Sequence, residues 1–231
     1  MGTSYNPKIV TNGLILNLDA ANKKSYPGAG TSWVDLSKNK YTGTFINSPT
    51  FNSSNGGNIA FTSASSQYIS ISSPISTATS NISMSAWFKT NNASQAGQMI
   101  FYNGSDLNGN GYGFSINYEL TTNGRILILY GNVAWIDTGY TVSSNVWYYG
   151  VMNIMSDGSN EFYVNGNKIF TGISRARNTP TLRADIARDD YSGTYARFLN
   201  GNISMVQFYN RALNASEVLQ NYNATKGRFG L

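Results

Sequence analysis

The chain has 231 residues, of which 41% are hydrophobic and only 12% charged, and it contains no cysteine and no histidine. That excludes disulfides, thiolate nucleophiles, cysteine–metal sites, the Ser-His-Asp triad and imidazole acid–base catalysis. The formal net charge of +5 comes without a block of basic residues able to track a phosphate backbone, so no nucleic-acid partner is expected.

Taken in chain order, "MGTSYNPKIV" shows no basic region followed by an apolar stretch. It carries no secretion signal and reads as a short arm over residues 1 to about 11. No apolar run has the length of a membrane span, so no membrane insertion is expected. "GLILNLD" alternates and places Leu14, Leu16 and Leu18 on one face of a strand. The loop "NKKSYPGAGTSW", 22–33, precedes a strand-compatible "YTGTFI". "ISMSAWFK" sets Ile82, Met84, Ala86 and Phe88 on one face, and "YGFSINY" alternates in the same way. "GRILILYG" and "NVWYYGVMNIM" are apolar on both faces, as central strands are.

"EFYVNGNKIF" reads as a tight hairpin about Asn165-Gly166, the dipeptide that best tolerates positive φ at both turn positions. Val164 then opposes Asn167, Tyr163 opposes Lys168 and Phe162 opposes Ile169, with both faces apolar enough to lie between layers. "RFLNGNISMVQFYN" predicts a second hairpin about Asn200-Gly201. "LNASEVLQNYNATKG" switches to helical spacing. Asn214 and Glu217 form a capping box, Lys226-Gly227 supplies a stop, and a helix of about two turns is expected over about 214–225. No linker separates two apolar halves, so residues 1–231 are expected to form a single domain. Many short strands with turn signals between them predict an all-β, antiparallel two-sheet sandwich with one short C-terminal α-helix.

Three blocks carry a resemblance. "GLILNLDAANKKSYPGAGTSWVDLSKNKYTGTF", "FYVNGNKI" and "GNISMVQFYNRALNASEVLQNYNATKGRFGL" resemble laminin-G-like jelly-roll domains of the concanavalin A-like lectin/glucanase superfamily. The chain departs from similar ones at Phe61-Thr62-Ser63, where Phe-Asp-Gly is common. The resemblance implies a concanavalin A-like jelly roll of two curved sheets. Such domains bind glycans or proteins through edge loops or a concave face, and many are not enzymes. They also occur in structural proteins of tailed bacteriophages.

The expectation is therefore a non-enzymatic virion surface protein, a capsid decoration or head/tail fibre-type adhesion module. It would be assembled in the host cytoplasm, contact other virion proteins and form a homo-oligomer. The alternative is a soluble lectin-like domain that binds cell-surface glycans with Ca²⁺. No cofactor is required by the first reading, and Ca²⁺ is the candidate ion for the second.

Candidate sites divide by chemistry. Glucanases of this superfamily use a Glu-x-Asp-x-x-Glu pattern, because hydrolysis needs two facing carboxyl groups. Glu119, Glu161 and Glu217 have no such neighbours, so no catalytic residue is assigned. Asp106, Asn108 and Asn110 follow a D-x-N-x-N-G spacing that can wrap Ca²⁺, although Asn117 stands where the closing glutamate would be. Read plainly, they make a polar hairpin tip. Asp19 and Asp35 flank a Gly-rich loop and either hold a cation or pin the loop through its N–H groups. Arg175, Arg177, Arg183, Arg188 and Arg197 interleave with Asp185, Asp189 and Asp190. They form either a subunit or capsid contact or an ordinary pair of solvated loops. Trp87 and Trp147 sit in strand patterns and belong to the core. Trp135 and Tyr140, in "GNVAWIDTGY", are the candidates for stacking on a sugar ring.

Overall fold

The computed structural model describes residues 7–118, 121–191 and 197–231. In chain order the first strands are β1 Leu14–Asp19, β2 Ser32–Val34, β3 Thr42–Ile46, β4 Thr50–Asn52, β5 Asn58–Phe61, β6 Tyr68–Ile71, β7 Ile82–Thr90 and β8 Gln98–Asn103. They continue with β9 Tyr112–Ile116, β10 Arg125–Tyr130, β11 Ala134–Thr141, β12 Tyr148–Ile154, β13 Asn160–Val164, β14 Asn167–Gly172, β15 Ala184–Ile186 and β16 Gly201–Tyr209. Helix α1 spans Ala215–Thr225. The strands form two antiparallel sheets. One runs β14-β13-β12-β7-β16-β5-β4, with β1 also paired to β16, and the other runs β11-β10-β9-β8-β15-β6-β3-β2. This is the jelly-roll sandwich that the strand pattern predicts.

The alternation of the strands explains the layers. Ile82, Met84, Ala86 and Phe88 of β7 point between the sheets, where they meet Tyr112, Phe114 and Ile116 of β9 and Ile126 and Ile128 of β10 in one core. The intervening Trp87 points outward. There it joins Tyr149, Val151, Tyr163 and Tyr209 in a second apolar layer that Val218 of α1 closes. Both sides of the first sheet are thus covered.

Helix α1 begins with the capping box expected from sequence: the Asn214 side chain accepts from the Glu217 N–H, and the Glu217 carboxylate accepts from the Asn214 N–H. It has 11 residues, three turns rather than two. The α-helix stops where expected, at Thr225 with Lys226 as its C-cap, although Gly227 does not take a left-handed conformation there. The chain tightens into a 3₁₀ turn over Lys226–Phe229 and ends at Gly230, with φ 72°. This extension carries Phe229 onto Trp87, with ring centroids 4.0 Å apart. The N-terminal segment lies against the same helix: the Val10 N–H donates to Asn221 Oδ1 at 2.7 Å and Gln220 donates to the Lys8 carbonyl at 2.7 Å.

Register departs from simple alternation at bulges. The Asn165-Gly166 turn is as expected, with φ of 51° and 84°. Val164 opposes Asn167 and Tyr163 opposes Lys168, but a bulge then places Phe162 opposite Phe170 instead of Ile169. Only β13 is buried on both faces; β14 ends its sheet and stays half exposed. A bulge between Leu14 and Leu16 likewise turns Leu14 to the outer layer while Leu16 and Leu18 enter the inter-sheet core.

Asn200-Gly201 is not a hairpin turn. Gly201 opens β16 and lies between Thr90 of β7 and Phe61 of β5. A Cβ there would stand 2.1 Å from the Lys89 carbonyl oxygen, so this glycine serves a close backbone approach. Among the described residues, no helix is long and apolar enough to cross a membrane.

Candidate functional site

The outer face of the second sheet is built differently. β8 and β10 send Met99, Tyr102 and Leu129 outward, and Trp135 of β11 packs on them. Two connections rise beside this patch, 104–111 between β8 and β9 and 131–133 between β10 and β11. The first folds tightly because its two ends pass backbone to backbone: a Cβ on Gly111 would meet the Asn103 carbonyl oxygen at 2.3 Å, and Gly111 has φ 92°. Together with Tyr191 and Arg197 these elements enclose a cleft of about 610 Å³. Trp135 and Leu129 line it, Asn108 and Asn132 stand at its sides, and Leu107 and Val133, 57% and 41% exposed, form its rim.

One side of the cleft rests on a buried ion cluster. Arg197 Nη1 lies 2.6 Å from Asp106 Oδ2 and 2.6 Å from Asp189 Oδ2, with Arg197 only 3% exposed and Asp189 fully buried. Its guanidinium sits 4.1 Å from the Tyr191 ring centre and 4.9 Å from that of Trp135. The cation thereby fixes both rings. Asp190 accepts from the Ser105 hydroxyl at 2.6 Å and the Leu107 N–H at 3.1 Å, which ties the 104–111 connection down, and Arg183 stands 3.6 Å away. Burial pushes the Asp189 carboxyl up to about 7; Arg197 opposes this and the nearby Asp106 adds to it. Burial, with the neighbouring aspartates, also raises the Tyr102 phenol well above its ordinary range, and its hydroxyl donates to the Asn110 carbonyl at 2.8 Å.

Residues 63–219, more than half of the chain, match the laminin G family described as Concanavalin A-like lectin/glucanases superfamily. The chain belongs to that superfamily. Solved structures of other proteins share the fold of this superfamily member. Domain 4 of AbnA, a GH43 extracellular arabinanase from Geobacillus stearothermophilus, solved in complex with arabinotriose, superposes with a TM-score of 0.71 at 14% identity. That match covers 90% of this chain and 98% of the domain. A Trypanosoma rangeli sialidase superposes at 0.69 with 17% identity, over 95% of this chain and 34% of the sialidase. The botulinum neurotoxin type G receptor binding domain superposes at 0.66 with 19% identity, over 92% of this chain and 51% of that one. No curated protein sequence matches the chain.

Within this superfamily member the residues singled out from sequence are placed as follows. Trp135 lines the cleft. Tyr140 does not join it: five residues along the same strand reverse the face, and Tyr140 packs edge-on against Tyr148 at 6.2 Å beside the inter-sheet core. Asp106, Asn108 and Asn110 do not converge on a cation. Asp106 bonds Arg197. Asn110 Oδ1 accepts the N–H groups of Ser105 and Thr181, and Asn108 Nδ2 donates to the Ser105 hydroxyl. The positive charge beside this loop is a guanidinium, and the donor set does not fit Ca²⁺.

Asp19 and Asp35 also act separately. Asp19 forms a two-pronged pair with Arg228 at 2.7 and 3.0 Å. Asp35 accepts the N–H groups of Asn17, Ser37 and Tyr41 and the Ser37 hydroxyl, which pins the long loop to β1. Among the described residues, no three carboxylates gather in a way that could hold a metal.

Most of the arginines expected at a subunit or capsid contact are engaged within the chain. Arg177 donates to the Thr79 and Gly158 carbonyls, Arg183 faces Asp190, and Arg188 pairs with Asp185 at 2.7 Å over the Tyr68 ring. Arg197 is buried, and Arg175 is exposed. Glu161 pairs with Lys168 and Glu217 with Arg211, neither of them at the cleft; Glu119 lies outside the described residues. Sequence reasoning missed Asn132 and Tyr191 as cleft residues. The one available signal was that Asn132 sits in the β10–β11 turn, three residues before Trp135.

Proposed function

We propose that the protein is a non-catalytic carbohydrate-binding module that holds a segment of oligosaccharide in the Trp135 cleft. The observation that carries this reading is the pair of rings, Trp135 and Tyr191, fixed about Arg197 beside Asn108 and Asn132. The C–H face of a sugar packs on such rings while side-chain amides bond its hydroxyls, and rings already immobilised lose little entropy on binding. The cleft volume suits a ligand of a few rings. A fold shared with an arabinanase domain solved with arabinotriose supports the same reading.

Hydrolysis is not part of the proposal. Cleavage needs two carboxyl groups free to face the scissile bond. Asp106 is the carboxylate lining the cleft and it is bonded to Arg197, while Asp189 is buried behind it. The test is a glycan array followed by calorimetry. Trp135→Ala should abolish binding, incubation with the bound glycan should release no reducing sugar, and chelation should leave affinity unchanged. Binding that survives Trp135→Ala sinks the assignment of the site.

A second reading is favoured by one observation: Ile173 is 73% exposed next to the open edge strand β14, with Arg175 exposed two residues on. An apolar residue beside an unpaired strand edge suits a protein contact. In that reading the chain is a structural or adhesion component of a virion, assembled in a host cytoplasm with copies of itself and other particle proteins. Light scattering decides it: a stable oligomer that Ile173→Asp dissociates supports assembly, and a monomer at high concentration counts against it.

A further inference from the structure

We infer that the Trp135 cleft selects uncharged glycans and excludes those bearing a carboxylate or sulfate. This rests on the reading of the cleft as a sugar site. Recognition of an anionic sugar needs a donor fork or ammonium facing the ligand with its charge available. Among the described residues lining the cleft, the cation is Arg197. One of its nitrogens bonds two carboxylates at 2.6 Å each, both ring contacts cover its guanidinium, and it is 3% exposed.

The surrounding charge points the same way. Asp106, Asp189 and Asp190 stand against Arg183 and Arg197, so the cluster carries no surplus of positive charge. The rim residues Leu107 and Val133 are apolar and exposed, and an entering carboxylate would lose hydration there without gaining a partner. The chain's net charge of +5 does not alter this locally. Lys8, Lys23, Lys24, Lys38 and Lys40 are exposed, and none of them lines the cleft.

The experiment is an array of neutral oligosaccharides alongside sialylated, uronic and sulfated ones, probed with the full chain, with Trp135→Ala and with Asp106→Asn. We expect neutral glycans alone to bind, with loss in Trp135→Ala. Removing the lining carboxylate in Asp106→Asn should raise binding of acidic glycans by about 10-fold, the scale of one charge–charge contact near a protein surface. Affinity of the unaltered chain for its neutral ligand should stay flat between roughly 0.05 and 0.5 M salt, a check that needs no variant. Acidic glycans captured by the unaltered chain and lost in Trp135→Ala would overturn the charge selection while leaving the sugar site standing. Absence of any glycan binding, or binding indifferent to Trp135→Ala, would remove the site itself and this inference with it.

Discussion

The outer faces of the two sheets carry similar residues and meet opposite fates. Trp87 and Tyr149 project from the first sheet as Trp135 and Leu129 do from the second. On the first, α1 and its 3₁₀ extension lay Tyr222 and Phe229 over Trp87, and Thr225 accepts the indole N–H at 2.7 Å. On the second the cover is a buried salt cluster set to one side, and a cleft remains. An outward aromatic thus becomes core or contact surface according to what distant chain folds over it, and nothing in its own strand decides the matter.

Substitutions that uncover or collapse one face while sparing the other test this contrast. Trp87→Ala should have the largest effect, a loss of about 3–5 kcal/mol in denaturant unfolding, because the ring is fully buried and its neighbours cannot close the gap. Glycan binding by the surviving folded fraction should persist. Arg197→Leu comes next. It leaves Asp189 buried without its cation, so a loss approaching about 3 kcal/mol at neutral pH is expected, together with loss of ligand binding as Trp135 and Tyr191 come free.

Asp189→Asn probes the same cluster through pH. Burial raises the Asp189 carboxyl to about 7 from an ordinary 3.8. Its favourable contribution is therefore fully present below about pH 4 and is lost as pH rises through about 7. The stability of the unaltered chain relative to Asp189→Asn should fall across that window and level off above it. A difference that rises with pH would show the Arg197 attraction outweighing burial. Asn214→Ala, which removes the helix cap, should cost about 1 kcal/mol with no change at the cleft. Trp135→Ala should be the mildest for stability, within about 1 kcal/mol because the ring is only partly buried, while being the most damaging to binding.

The legible part of this molecule was local. Ile82, Met84, Ala86 and Phe88 announced their shared face by period alone, and Asn214 with Glu217 announced the start of α1, because both signals act within one turn or one strand. What failed was non-local. Arg197 meets Asp106 across 91 residues of sequence, and no spacing rule links them. The run of arginines looked like surface, yet Arg183, Arg188 and Arg197 pair with the aspartates interleaved among them, while Arg177 and Arg197 also reach distant segments at Thr79, Gly158 and Asp106. Asn-Gly at 165 and at 200 look alike in sequence, yet one bends the chain and the other lets two backbones touch. Tyr140 was separable from Trp135 by parity, since an odd offset along a strand changes sides.

The clasp of residues 8–10 against α1 has a directional consequence. Lys8 and Val10 are bonded to Gln220 and Asn221 of α1, and the 3₁₀ turn before Leu231 packs on the same face through Phe229 against Trp87. A tether attached after Leu231 would therefore hold the molecule by its back. The mouth beside Trp135 would look away from the anchor, and two copies on a common support could reach outward without shading each other.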